Sequence, residues 1–242
     1  MAKDISIIGK RKRIAVVGAG IGGLVSALKL ANDGFEVTVF ESSDYPGGKI
    51  RTIDTSCGPV NIGPTVLTML SVFQSLFEEV GENIFDHLEL KEQQILARHW
   101  WSDGTEFDLL ANKDDAFDEV RRVFGANSEK QFIKFCKSTE GMFDCFEKPI
   151  MRSSSPAALA ILKEICNNPK IIPALIPFLT LEKYLKNKFS EPKLQQLFGR
   201  YSTYVGGSPL NSPALMALVW QAEARGVWTV KGGISSVARV IE

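Results

Sequence analysis

Histidine is scarce in this chain, two residues in 242, and the four cysteines form no C-x-x-C pair. Cys57, Cys136, Cys145 and Cys166 are therefore expected as reduced, structural thiols. With only His87 and His99 as imidazole ligands, no metal centre is expected either. No apolar run reaches the roughly 18 residues that a membrane-spanning helix needs, and the first residues lack the apolar core of a secretory signal. Residence on the cytoplasmic side is the resulting expectation. Net charge is absent too: 28 basic and 28 acidic residues cancel, so no bulk field draws the chain to nucleic acid. The one basic run, Lys10-Arg11-Lys12-Arg13, precedes the first strand and reads as a solvated lead-in rather than a targeting signal. Internal repeats, low-complexity tracts and coiled-coil heptads are missing as well. What is present, 45% hydrophobic and 23% charged residues, suits one large or two modest globular domains.

The informative region is residues 14–51. Ile14-Ala15-Val16-Val17 is an apolar run of strand length, and Gly18, Gly20 and Gly23 then form G-x-G-x-x-G. Leu24, Ala27, Leu28 and Ala31 follow at helical spacing. This is a strand-turn-helix. Gly18 permits the tight turn, Gly20 leaves room for a pyrophosphate, and Gly23 lets the helix lie close to the strand. The free N–H groups at the helix start face the phosphates. Gly34 ends the helix, residues 37–40 read as a second strand, and Glu41 at its end supplies a carboxylate for ribose hydroxyls, with Ser42 beside it. Glu41 disfavours a 2′-phosphate, so NADP fits least and FAD is preferred to NAD.

Residues 47–65 are rich in glycine and proline with short β-like pieces, as suits loops folded over a cofactor. A helix is expected over 71–80, closed by Gly81, and a β-hairpin around Ser102-Asp103-Gly104. From Asp114 to about Leu218 the periodicity is mostly helical, broken at Gly125, Pro149, residues 153–156, Pro169, Pro192 and Gly206-Gly207. The expected organisation is an α/β dinucleotide domain begun by residues 1–70, an inserted, largely helical substrate domain with a hairpin at 71–218, and a return at 219–242. Residues 171–179, Ile-Ile-Pro-Ala-Leu-Ile-Pro-Phe-Leu, are strongly apolar and too short to span a bilayer. They suit a core helix, a substrate channel or a membrane-surface plate. Trp100, Trp101, Phe178, Trp220 and Trp228 could line such a channel or fill a core. His99 beside two hairpin tryptophans reads as structural rather than as a proton acceptor.

These landmarks resemble the carotenoid desaturases of the phytoene-desaturase family, within the wider flavin amine-oxidase-like group. Beyond the fingerprint the resemblance rests on Pro46-Gly47-Gly48-Lys49-Ile50-Arg51, Gly63-Pro64-Thr65, Tyr204-Val205-Gly206-Gly207-Ser208-Pro209, Gly226-Val227-Trp228 and Gly232-Gly233, in that order. Ala97-Arg98-His99-Trp100-Trp101-Ser102-Asp103-Gly104, Leu197-Phe198-Gly199-Arg200-Tyr201 and Trp220-Gln221-Ala222-Glu223-Ala224 look closest to the 1-hydroxycarotenoid 3,4-desaturases, or methoxyneurosporene dehydrogenases. The resemblance implies a Rossmann-like FAD-binding domain of the flavin amine-oxidase type. It also implies FAD held by Gly18, Ala19, Gly20, Ile21, Gly22, Gly23, Glu41 and Ser42. Gly47, Gly48, Lys49 and Arg51 would run along the flavin and pyrophosphate, and Gly63, Pro64 and Thr65 would approach the isoalloxazine. The implied activity is desaturation of a lipophilic carotenoid met at the membrane surface, with the protein peripherally bound. Asn61 stands where the family usually has an aspartate, so a charge there is lost. The family's C-terminal return to the FAD domain has no counterpart, so the chain looks like an N-terminal half, and the fragment alone is expected to be inactive. Two other readings share the opening motif: another flavin oxidoreductase such as an amine oxidase, and a non-catalytic prenyl-binding protein like the Rab GDP-dissociation inhibitors.

Overall fold

The structure, a computed structural model, describes residues 12–153, 155, 158–167 and 178–242. The chain runs through β1 (Arg13–Val17), α1 (Ile21–Asn32), β2 (Glu36–Phe40), β3 (Thr52–Thr55), β4 (Gly58–Asn61), β5 (Leu67–Thr68), α2 (Leu70–Glu79), α3 (Ile84–His87) and β6 (Leu90–Glu92). It continues as β7 (Ile95–Trp100), β8 (Glu106–Leu110), α4 (Lys113–Phe146), α5 (Ala158–Asn167), α6 (Leu181–Lys188), α7 (Pro192–Gly199), α8 (Trp220–Ala224), β9 (Val227–Val230) and α9 (Ser235–Ile241).

Two compact units result: residues 1–92 with 228–242, and residues 93–227. The sequence-based divisions at 70/71 and 218/219 fall inside these units for a packing reason. Leu70, Leu76 and Phe77 of α2 are buried with Ala19 and Leu24 from the opening βαβ and with Val230, Ile234, Val237 and Ile241 near the end of the chain. An apolar helix face goes where it can be covered, and here Val230, Ile234, Val237 and Ile241 lie more than a hundred positions away.

In the first unit β1 and β2 pair in parallel, Ile14 opposite Val37 and Val17 opposite Phe40, joined by α1 as a right-sized crossover. Gly34, at φ +89°, lets the chain leave α1. The short β-like pieces expected within residues 47–65 are β3 and β4, which pair antiparallel. A three-stranded sheet, ordered β5-β9-β6, pairs Leu90 with Val230 and Glu92 with Trp228.

The second unit starts with the β7–β8 hairpin, His99 opposite Phe107. Its single largest element is α4, capped by the Asn112 side chain, which accepts from the N–H groups of Asp114 and Asp115. The break expected at Gly125 is a kink inside it, φ +86° and ψ +168°. Pro192 opens α7 rather than ending a helix, the first-turn position at which its missing N–H costs nothing. Phe132, Phe135, Phe189, Phe198 and Trp220 stack into an aromatic core, with Phe135 and Phe198 centroids 4.6 Å apart. Trp220 is thus a core residue, its indole N–H donating to Thr139 Oγ1 at 2.8 Å, whereas Trp100 is largely exposed. The apolar stretch at 171–179 lies outside the described residues except for Phe178 and Leu179.

Candidate dinucleotide site

The turn between β1 and α1 is built on backbone demands that glycine alone meets. Gly18 stands at φ +97° and its N–H donates to the Phe40 carbonyl at 2.7 Å, tying the turn to the end of β2. A Cβ on Gly23 would run into the Gly18 carbonyl group, with 3.1 Å to its carbon, so helix and strand touch backbone to backbone here. Gly20 is different. A Cβ there would meet no protein atom within 4 Å, and the same holds for Gly22. Gly20 caps α1 in extended conformation, no side chain caps the helix, and no acidic residue sits in its first turn. The N–H groups of Ile21, Gly22 and Gly23 are thereby left to an anion.

A second glycine loop lies on the first. Gly20 and Gly47 form a parallel bridge, and the Gly47 N–H donates to the Ala19 carbonyl at 2.8 Å. A Cβ on Gly48 would stand 3.2 Å from Gly20 Cα, and one on Gly47 2.5 Å from the Ile50 carbonyl oxygen. Gly63 is packed as closely against Lys49, its Cβ position 3.0 Å from the Lys49 carbonyl carbon. Residues 18–23, 47–51 and 61–63 are therefore one layered assembly. Lys49 and Arg51 project from it exposed, without an ion pair among the described residues, and Pro64 and Thr65 are exposed beside it.

Glu41 sits where β2 ends. Its Oε2 accepts from the Ala19 N–H at 2.7 Å, and its Oε1 from the Ser43 N–H at 2.9 Å and the Ser42 hydroxyl at 3.2 Å. The Ser43 and Ala19 N–H groups hold its pKa down at about 2, so it is a carboxylate at any physiological pH. A cavity of about 320 Å3 adjoins it, walled by Ala19, Leu24, Leu28, Val39, Tyr45 and Pro46.

These residues fit a dinucleotide. The test is Gly20, whose missing side chain no neighbour requires, set between free helix N–H groups and two unpaired cations. Asn61 adds to it: its Oδ1 is buried without a partner, 3.2 Å from the Cβ position on Gly233. A buried acceptor left open costs about 1–3 kcal/mol unless something outside the chain supplies the donor. Sequence marks Asn61 by its place two residues before Gly63, but not its open acceptor.

Sequence comparison agrees with this geometry. Residues 16–80 match the NAD(P)-binding Rossmann-like domain family. Over 226 residues, 93% of this chain, 44% are identical to the hydroxyneurosporene desaturase of Cereibacter sphaeroides. The chain is homologous to the carotenoid desaturases. A 1-hydroxycarotenoid 3,4-desaturase from a Flavobacterium species is 30% identical over 94% of the chain. The chain spans about half the length of these curated desaturases, 46% of each. Among solved structures, wild-type putrescine oxidase bound to putrescine superposes with a TM-score of 0.59 at 19% identity, covering 96% of this chain and 48% of that one. The desaturase homologue thus has the Rossmann-like fold of the flavin amine oxidases.

Proposed function

We propose that this chain provides the FAD-binding fingerprint and much of the substrate unit of a carotenoid desaturase acting at the 3,4-bond of a 1-hydroxycarotenoid. The observation that carries the reading is the 44% identity to a hydroxyneurosporene desaturase along a chain whose glycine loops stack on an open helix N-terminus. When bound, FAD supplies the acceptor for the hydride removed from a carbon–carbon bond. The chain's own residues bind and orient. Ile21, Gly22 and Gly23 N–H groups and the cations of Lys49 and Arg51 hold the pyrophosphate, Glu41 accepts from the ribose hydroxyls, and Gly63, Pro64 and Thr65 approach the ring system. Positive charge developing along a conjugated chain is delocalised, so orientation and exclusion of water are what the protein must supply. A lipophilic substrate implies contact with the membrane surface through residues 171–179. Phe178 and Leu179 are the described residues of that segment, and Phe178 is 97% exposed. No helix among the described residues is long and apolar enough to cross a membrane.

Purified protein should show flavin absorption bands, and cells accumulating a 1-hydroxycarotenoid should shift their pigment to the red when the full-length enzyme containing these residues is expressed. Flavin bands without a red shift would favour another oxidoreductase of this fold. Replacing Ile172, Leu175 and Phe178 by serine should release the folded protein from membranes; unchanged partition would remove the membrane part of the reading.

A further inference from the structure

The second unit holds a buried polar cluster that the dinucleotide site does not use. Glu223 is 6% exposed, and its Oε2 accepts from Arg200 Nη2 and the Tyr201 hydroxyl, each at 2.7 Å, while its Oε1 accepts from the Tyr204 hydroxyl. Burial and the Glu223 contact push the Tyr204 pKa up to about 12, so both phenols stay protonated donors. The cluster joins the two segments, 197–201 and 220–224, that carry the narrower resemblance in sequence. Arg200 is incompletely used: Nε is buried without a partner, and Nη1 makes no bond among the described residues although a third of the side chain is exposed. His99 Nε2 is likewise buried and unpartnered. Trp101 donates to Gln196 at 2.8 Å, and the Arg200 charge is felt at the His99 ring. Burial, then the Arg200 charge, lowers the His99 pKa and keeps the imidazole neutral.

Arg200 also forms one end of an open groove of about 480 Å3, walled by Leu185, Pro192, Gly199, Thr203 and Pro209. That volume lies in the range of ligand sites. Every charge bordering it is already neutralised: Lys186 pairs with Glu182 at 2.7 Å and Arg200 with Glu223 at 2.7 Å. An anion finds no uncompensated cation there. A neutral molecule with an apolar body and one polar end finds largely apolar walls, with Gln195, Gln196 and Ser202 among them, and a lining Arg200 whose Nη1 is unbonded among the described residues and whose position Glu223, Tyr201 and Tyr204 fix.

We propose that this groove receives the hydroxylated end of the substrate, its hydroxyl oxygen accepting a hydrogen bond from Arg200, with Glu223 as the positioning residue. The proposal rests on the carotenoid reading above and gives that reading its selectivity for hydroxylated over plain polyenes. One hydrogen bond from a charged donor corresponds to a preference of about tenfold or more.

The test compares hydroxyneurosporene with neurosporene, its unhydroxylated parent, by quenching of tryptophan emission on titration into the detergent-solubilised chain. Wild type should bind the alcohol about tenfold more tightly. Arg200→Lys and Arg200→Gln should bring the two affinities together. In the unmutated chain, hydroxyneurosporene but not neurosporene should protect Arg200 from phenylglyoxal, read by peptide mass, which holds even if the variants misfold. Equal wild-type affinities, equal protection, or an undiminished preference in a folded variant overturns the hydroxyl site and leaves the carotenoid reading standing. Binding of neither pigment by wild type overturns both.

Discussion

Two glycines three residues apart in the fingerprint should fail in opposite ways. An alanine at Gly23 places its methyl against the Gly18 carbonyl group, 3.1 Å from the carbon and overlapping the oxygen, where ordinary contacts begin at 3.4 Å. Neither partner is a flexible side chain. The start of α1 must move off β1, loosening Leu24 and Ala27 beneath it. Overpacking of this kind costs about 1–3 kcal/mol, and the rigid backbone puts Gly23→Ala near 3. Alanine at Gly20 meets no protein atom within 4 Å and keeps an allowed conformation, φ −67° and ψ +169°. The flavin-free chain should lose only about 0.5 kcal/mol, the modest effect of a helix-cap exchange. Its methyl does intrude where the pyrophosphate must reach the helix N–H groups. Losing one such charge-assisted bond weakens binding by about 1.5–3 kcal/mol, roughly ten- to a hundredfold. Urea unfolding of the flavin-free variants and flavin titration of each separate the effects. If Gly20→Ala destabilised the flavin-free chain as much as Gly23→Ala, or bound flavin normally, the assignment of Gly20 to the ligand would be refuted.

Glu41, held at about 2 against an ordinary 4.5, contributes stability that is present above pH 4.5 and fades as pH falls toward 2. Melting temperatures of wild type and Glu41→Gln should therefore differ by a constant amount near neutrality and converge in that window. A gap unchanged down to pH 2 would show that the carboxylate contacts contribute nothing. Gly125→Ala meets no neighbour but must adopt φ +86°, so it should lower the unfolding free energy by about 1–3 kcal/mol, read as a lower urea midpoint at unchanged slope; a neutral result would deny the kink. Glu223→Ala strands Arg200 and two phenols and should cost about 3 kcal/mol, the low end for a broken buried pair because Arg200 is partly exposed, against about 1 for Tyr201→Phe.

Local pattern made the opening βαβ legible. The strand, the helix ending before Gly34 and the second strand fall within one residue of where apolar spacing puts them, as do the 71–80 helix and the hairpin, because each signal lies within about ten neighbouring residues. The β5-β9-β6 sheet could not be read this way. Glu92 meets Trp228 across most of the chain, and neither short strand carries a pattern of its own. The same limit hid the charge pair: Glu223 is conspicuous only as an acid after an apolar stretch, and nothing local names Arg200 as its counter-ion. His99, read as structural, does stack on Trp101 at 5.7 Å, yet its open Nε2 was invisible without coordinates. The cofactor loops were legible as glycines; their mutual stacking was not.

The first unit is interrupted, leaving at Glu92 and resuming at Trp228, and this orders its assembly. Strand β9 cannot reach β6 until the whole intervening stretch has left the ribosome, so the amino-terminal unit finishes last. The Gln93 N–H donates to the Val227 carbonyl at 2.8 Å, so a folded second unit presents the two ends already side by side. Shrinking a loop on the order of 130 residues to a few saves about 3 kcal/mol of closure entropy. Lesions in the aromatic core of the inserted unit are therefore expected to slow the recovery of flavin binding after denaturation even where they leave every cofactor contact intact.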